Sequence, residues 1–186
     1  MGNTGKGSEF EREICKLLSR WWTDGKRDDV FWRCSQSGGR ATQRAKTGQK
    51  TFGSYGDITA VDPIGAPLLK YFTIELKRGR SHGCLGDLID LKGDNAKHPF
   101  VTCLLQARRS AKQAGSKTWM LICRRDRRKA MVYLSWTHAK FLLPFPFPCL
   151  CRLAVRGKSN WVCGVSLGDF LSTVQPKQII NHVKVI

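Results

Sequence analysis

Apolar residues recur along this chain with two different periods, and the change of period marks its elements. In residues 8–22, SEFEREICKLLSRWW, Phe10, Ile14, Leu17, Leu18, Trp21 and Trp22 fall at helical spacing. This predicts an amphipathic helix, and Ser8 followed three residues later by Glu11 has the form of a capping box. At about 100° per residue, Glu11 falls inside the apolar stripe, between Phe10, Ile14 and Leu18. Glu9 and Glu13 fall outside it. One acid should therefore point toward the core while its neighbours face water.

The period then shortens to two. A short strand is expected around residues 30–34. DITAVD (57–62), a Pro- and Gly-containing turn (63–67) and LLKYFTIELKRG (68–79) together read as a β-hairpin. Counting equally outward from Ala66 sets Asp57 opposite Glu75. In the second strand Phe72, Ile74 and Leu76 share one face, and Thr73, Glu75 and Lys77 the other. The run YFTIELK is apolar enough for a central strand.

Residues 80–99 read as a polar insertion with at most one short helix. A second helix is expected over 101–114, with Leu104, Leu105, Ala107, Ala111 and Ala114 toward its buried side and Gly115 as its stop. Strands follow at 118–123, 130–134, 151–155 and 161–165, and a short helix at 167–174. The prolines of FLLPFPFP (141–148) keep that stretch irregular. This order predicts an α/β domain with a mixed sheet flanked by helices.

With 186 residues, a single domain is the natural expectation. Such a chain buries roughly 70% of its unfolded surface and needs no covalent staples. Its core should span about residues 5–134, with 135–186 as an extension packed on it. No apolar run is long enough to cross a bilayer, and the polar residues 1–8 lack the apolar region of a secretory signal. A cytoplasmic protein is expected, with no membrane partner. The eight cysteines include no CxxC pair, and several lie in apolar runs. Buried, reduced thiols are expected rather than disulfides or a zinc site.

Charge narrows the partners. Thirty-two Lys and Arg oppose fourteen Asp and Glu, for a net charge of +18. A field of this sign draws polyanions, nucleic acid above all. It does not separate an enzyme from a packaging protein. Two clusters are candidates for gripping phosphates. Arg40, Arg44, Lys46 and Lys50 lie in a Gly- and Ser-rich stretch (24–56), where Ser35 is a further candidate phosphate contact. Arg124, Arg125, Arg127 and Arg128 crowd a turn. The histidines are scattered without metal-ligand spacing. Trp32 and Trp136 read first as core residues and second as surfaces for base stacking.

Within this basic field, Asp57, Glu75 and Lys77 stand out. Like charges set opposite each other in a sheet cost stability unless a cation bridges them. Mg2+ takes one or two carboxylates and completes its shell with water. A lysine two residues from Glu75 projects on the same face, where it can orient water and hold transition-state charge. This is the equipment for metal-assisted phosphodiester hydrolysis. A surface salt-bridge cluster is the plainer reading of the same triplet.

The order GSEFERE (7–13), GD (56–57), IELK (74–77) and LLQARRSAKQAG (104–115) resembles the PD-(D/E)xK nuclease superfamily, closest to its Holliday-junction-resolvase-like and phage-type members. The resemblance covers about residues 5–134. It implies a restriction-endonuclease-like core and a Mg2+-dependent endodeoxyribonuclease, with Mn2+ as a possible substitute. Carried over by motif, Glu11, Asp57, Glu75 and Lys77 are the catalytic set, and Asp57, Glu75, Glu11 and the carbonyl of Leu76 the metal ligands. Gln106 sits on the helix where some members place a polar residue near the site, though a solvated position accounts for it as well. Gly56 stands where the eponymous motif has proline. The leading expectation is a homodimer cutting branched DNA, as a phage protein in the host cytoplasm. The alternatives are a restriction-type or genome-processing nuclease on duplex DNA, and a basic DNA-binding protein without catalysis.

Overall fold

The computed structural model describes residues 4–34, 55–88, 97–144, 150–155 and 158–184. Helix α1 (Thr4–Trp22) leads into β1 (Phe31–Arg33) and β2 (Ile58–Ala60), which pair antiparallel as a two-stranded ribbon. A 3-10 turn (Pro63–Gly65) and α2 (Ala66–Tyr71) precede β3 (Phe72–Arg78). A second 3-10 turn (Gly86–Leu88) precedes α3 (Pro99–Ala114), β4 (Thr118–Arg124), β5 (Met131–Ser135) and α4 (Trp136–Leu142). The chain continues through β6 (Leu150–Val155), β7 (Lys158–Ser166), α5 (Leu167–Thr173) and α6 (Pro176–Lys184).

The main sheet has the order β3-β4-β5-β7-β6. Only β3 and β4 run parallel, joined by a crossover through α3, and the other pairs are antiparallel. The expected mixed sheet flanked by helices is what the chain forms. Residues 150–166 supply two strands of that sheet, so the tail completes the layer instead of only packing on it.

Strands β4, β5 and β7 divide their described apolar side chains between two layers. Phe72, Ile74, Leu76, Met120, Ile122, Val132 and Leu134 join α1, α2 and the C-terminal helices on one side. Trp119, Leu121, Cys123 and Tyr133 meet α3 on the other. Burial on both faces explains why β4 reads as an unbroken apolar run without alternation.

Several local expectations change. Helix α1 starts at Thr4, ahead of Ser8, whose hydroxyl donates to the Gly5 carbonyl at 3.1 Å, so Ser8 is an interior helix residue and not a cap. Glu13, expected in water, binds Arg124. The expected hairpin ladder does not form: β2 pairs with β1 and β3 with β4, and the segment read as the hairpin's turn and the start of its second strand folds as α2. Pro67 in the first turn suits a helix, since the proline N–H it lacks has no intrahelical partner there. Helix α3 ends as expected at Gly115, with φ of 69° in the left-handed region. Helices α4 and α6 were not anticipated. Cys15, Cys34, Cys103, Cys123 and Cys163 are buried.

Candidate active site

Strand β3 is an edge of the main sheet, and its free edge receives Asp57. The Asp57 N–H donates to the Ile74 carbonyl at 2.8 Å. The Leu76 N–H donates to Asp57 Oδ2 at 2.7 Å. Asp57 therefore brackets Glu75 from the neighbouring backbone positions. The expected juxtaposition exists, but a helical connection delivers it. Within a strand the N–H and C=O of one residue point the same way, so Leu76 turns its carbonyl to this edge too.

Gly56 makes the approach possible. Its φ is +77°, and a Cβ built there would lie 2.6 Å from the Ile74 carbonyl oxygen. Only glycine tolerates both the dihedral and the contact. The residue in place of the motif's proline is thus required by the closeness of two backbones.

Glu75 lies on the α3 side of β3 and is 3% exposed. Ser110 Oγ donates to its Oε1 at 2.8 Å, Gln106 Nε2 to its Oε2 at 3.0 Å, and Lys77 Nζ approaches Oε2 at 3.4 Å. Four residues apart on a helix, Gln106 and Ser110 project side by side. Gln106, which the sequence left open between a site role and a solvated position, thus contacts the Glu75 carboxylate. Ser110 was missed, although its spacing from Gln106 carried the signal.

Helix α1 contributes Glu11 from the other side of the sheet. Half-buried, it pairs with Arg33 of β1 at 3.5 Å. Burial raises its pKa, and the Asp57 carboxylate raises it further, against Arg33, Lys77 and Arg12. Burial first and Asp57 second likewise raise Glu75, with Lys77 and Ser110 opposing. Burial alone would lower the Lys77 ammonium, yet Asp57 and Glu75 outweigh it and raise its pKa. Asp57, Glu75, Lys77 and Glu11 thus share one electrostatic neighbourhood.

The donor set fits a divalent cation. Two carboxylates and a strand carbonyl are hard oxygen donors of the kind Mg2+ takes, with water completing the shell. A carboxylate offers about four lone-pair positions, and the three donors on Glu75 leave room for a metal. Among the described residues no three His, Cys, Asp or Glu side chains cluster closely enough to hold an ion by themselves. Glu11 is an electrostatic neighbour of the pair, raised by the Asp57 carboxylate.

The basic candidates separate. Arg124 forms a two-pronged pair with Glu13, at 2.6 and 2.5 Å, and stacks on Phe10 with 4.7 Å to the ring centroid. It ties α1 to β4, a structural engagement where a phosphate contact was expected. Arg125 approaches Asp87 at 3.8 Å. Arg127, Arg128 and Lys129 are exposed. With Arg125 they border a 510 Å³ pocket floored by Cys123, Met131 and Tyr133. Register places Cys123 beside Lys77, so this basic turn adjoins the acidic centre. Ser35, Arg40, Arg44, Lys46 and Lys50 lie outside the described residues. No described helix is long and apolar enough to cross a membrane.

Residues 2–142 match the family described as "Phage putative PDDEXK endonuclease". Among solved structures, a Holliday junction resolvase, Hjc, from the archaeal hyperthermophile Archaeoglobus fulgidus aligns over 95% of this chain and 99% of its own. The identity is 14% and the TM-score 0.33, a likeness too slight to bear on function. No curated protein matches the chain.

Proposed function

Because the chain belongs to the phage PDDEXK endonuclease family, a family of metal-dependent phosphodiester hydrolases, we propose that it is a Mg2+-dependent endodeoxyribonuclease whose centre is Asp57, Glu75 and Lys77, aided by Glu11. The observation that carries the reading is the bracketing of Glu75 by Asp57 beside a lysine, in a buried site of a chain with charge +18. A protein that only binds DNA has no use for acids that repel phosphate, one of them, Glu75, buried, and membership of an endonuclease family supports catalysis over binding alone.

Asp57, Glu75 and the Leu76 carbonyl would hold the cation, with Mn2+ as its substitute. A divalent ion there neutralises phosphate charge and makes water a better nucleophile. Lys77 orients the attacking water and holds charge that develops on the phosphate. Ser110 and Gln106 fix the Glu75 carboxylate. Glu11, with its raised pKa, keeps a polar group on the α1 side, where it positions water near Asp57. Arg125, Arg127 and Arg128 grip backbone phosphates next to the centre.

Branched DNA and a homodimer form the finer part of the proposal. The helix-one motif GSEFERE supports them by its resemblance to resolvase-like members, and a two-fold substrate favours a two-fold enzyme. Linear duplex is the competing substrate.

The test is cleavage of a labelled four-way junction and its matching duplex, with and without Mg2+, by the wild type and by Glu75→Ala. The variant should lose at least roughly a hundredfold in rate while binding DNA as tightly or more so. Wild-type cutting by the variant would overturn the site. Equal cutting of both substrates would keep the nuclease and remove the junction preference.

A further inference from the structure

A second cavity lies on the other flank of α3. Gln106 and Ser110 face Glu75, and two residues further along the helix, about 200° around its axis, Arg108 and Lys112 face away from it. There they line a cavity of 540 Å³ with Lys117 and three tryptophans, Trp119 of β4, Trp136 of α4 and Trp161 of β7. Trp161 is 45% exposed. Among the described residues, no carboxylate lines the cavity. It is separate from the catalytic acids, and the site described above makes no use of it.

We propose that this groove binds an unpaired stretch of DNA, stacking bases on the exposed Trp161 and the half-buried Trp136, with the buried Trp119 as the apolar floor, while Arg108 and Lys112 meet the phosphates. The proposal rests on the endonuclease reading and extends it to a substrate with a single-stranded segment. Its physical basis is a match of two kinds. Aromatic faces accept any base, because every base has a π-face, and cations beside them follow the backbone. A blunt duplex offers neither exposed base faces nor a strand narrow enough to enter. A second copy of this chain suits the groove less well. Its surface would carry the same +18 charge, and no described carboxylate in the lining would answer it.

The position gives the groove a use. Helix α3 is the wall between it and Glu75, so a strand crossing that helix runs from the groove to the catalytic centre. A nuclease with this second grip would favour sites where duplex meets unpaired DNA.

The probes are a short labelled oligothymidylate and a blunt duplex of equal length, titrated by fluorescence anisotropy in chelator. Trp161→Ala should weaken oligothymidylate binding by roughly tenfold, and Trp161→Phe should restore most of it, since one stacking face is removed and regained. Duplex affinity should stay within about twofold, because its phosphate contacts lie elsewhere. Mg2+-dependent duplex cleavage should be unchanged. Lys112→Glu, at an exposed helix position, should also weaken the oligothymidylate selectively and carries the test should Trp161→Ala fail to fold.

Unchanged oligothymidylate affinity in both variants would overturn the proposal, as would equal weakening on both probes. A dimer seen in sedimentation and dissociated by Trp161→Ala, with oligothymidylate affinity intact, would assign the groove to a second copy and overturn it too. If the wild type binds and cuts duplex while the groove variants behave like it, only the groove falls. If the wild type neither binds nor cuts DNA, the endonuclease reading falls with it.

Discussion

Asp57 and Leu76 are joined by one hydrogen bond, from the Leu76 N–H to Asp57 Oδ2 at 2.7 Å, and that bond seats Asp57 against the strand that carries Glu75 and Lys77. The Asp57 backbone bond to Ile74 leaves Glu75 between the two anchored positions. The chemistry of Glu75 therefore depends on how closely the chain around Asp57 can approach β3.

Gly56→Ala should damage stability and activity together. The substitution strains a left-handed residue and drives a Cβ toward the Ile74 oxygen. A destabilisation of about 1–3 kcal/mol is expected, read from urea denaturation. Cleavage should fall even at temperatures where the variant is folded, because Asp57 moves with its neighbour. A variant as stable and active as the wild type would show that the two backbones have room to spare.

Ser110→Ala should lower kcat by roughly tenfold and leave KM nearly unchanged, because Ser110 positions Glu75 and touches no substrate. The pH profile carries the distinguishing sign. Ser110 opposes the upward shift of Glu75, so its removal raises that pKa further. The acidic limb of the rate profile should move to higher pH. A merely structural serine would lower activity without moving the limb.

Mg2+ should raise the melting temperature more at about pH 8 than at about pH 5. Burial and then Asp57 raise Glu75 above its ordinary value of 4.5. A group whose folded pKa is raised gives stability that is full below the unfolded pKa and lost as pH rises through the folded one. Above that window the charged pair is strained, and a cation relieves it. Below it, protons compete with the metal. Differential scanning fluorimetry at the two pH values decides, and an equal rise at both would separate the metal from Glu75.

Arg124→Ala and the pair Arg127→Ala, Arg128→Ala should behave in opposite ways. The first removes the clamp on Glu13 and Phe10 and should cost ~1–2 kcal/mol of stability. The second should leave stability within about 0.5 kcal/mol. It should weaken DNA binding and reduce the salt slope by about 0.9 for each phosphate that is no longer neutralised. Anisotropy titrations across salt, beside denaturation curves, separate the two. An unchanged slope in the double variant would remove the turn from the DNA surface.

By itself the sequence determined the elements whose burial is periodic. The stripe of α1 set Glu11 apart from Glu9, the alternation of β3 put Glu75 and Lys77 on one face, and Gly115 marked the end of α3. Each follows from local geometry, in which a residue's face is given by its spacing from its neighbours. Tertiary structure decided the rest. It inserted α2 where a hairpin turn was expected, since a short run such as APLLKY serves either state and packing chooses. It supplied α4 and α6, which are short and stabilised mainly by what they lie against. It brought Ser110 to Glu75, Arg124 to Glu13 and the carbonyl of Ile74 onto Gly56. Those partners are 18 to 111 residues apart. Such juxtapositions depend on how the layers stack, and a one-dimensional pattern of polarity carries no distance between positions that far apart.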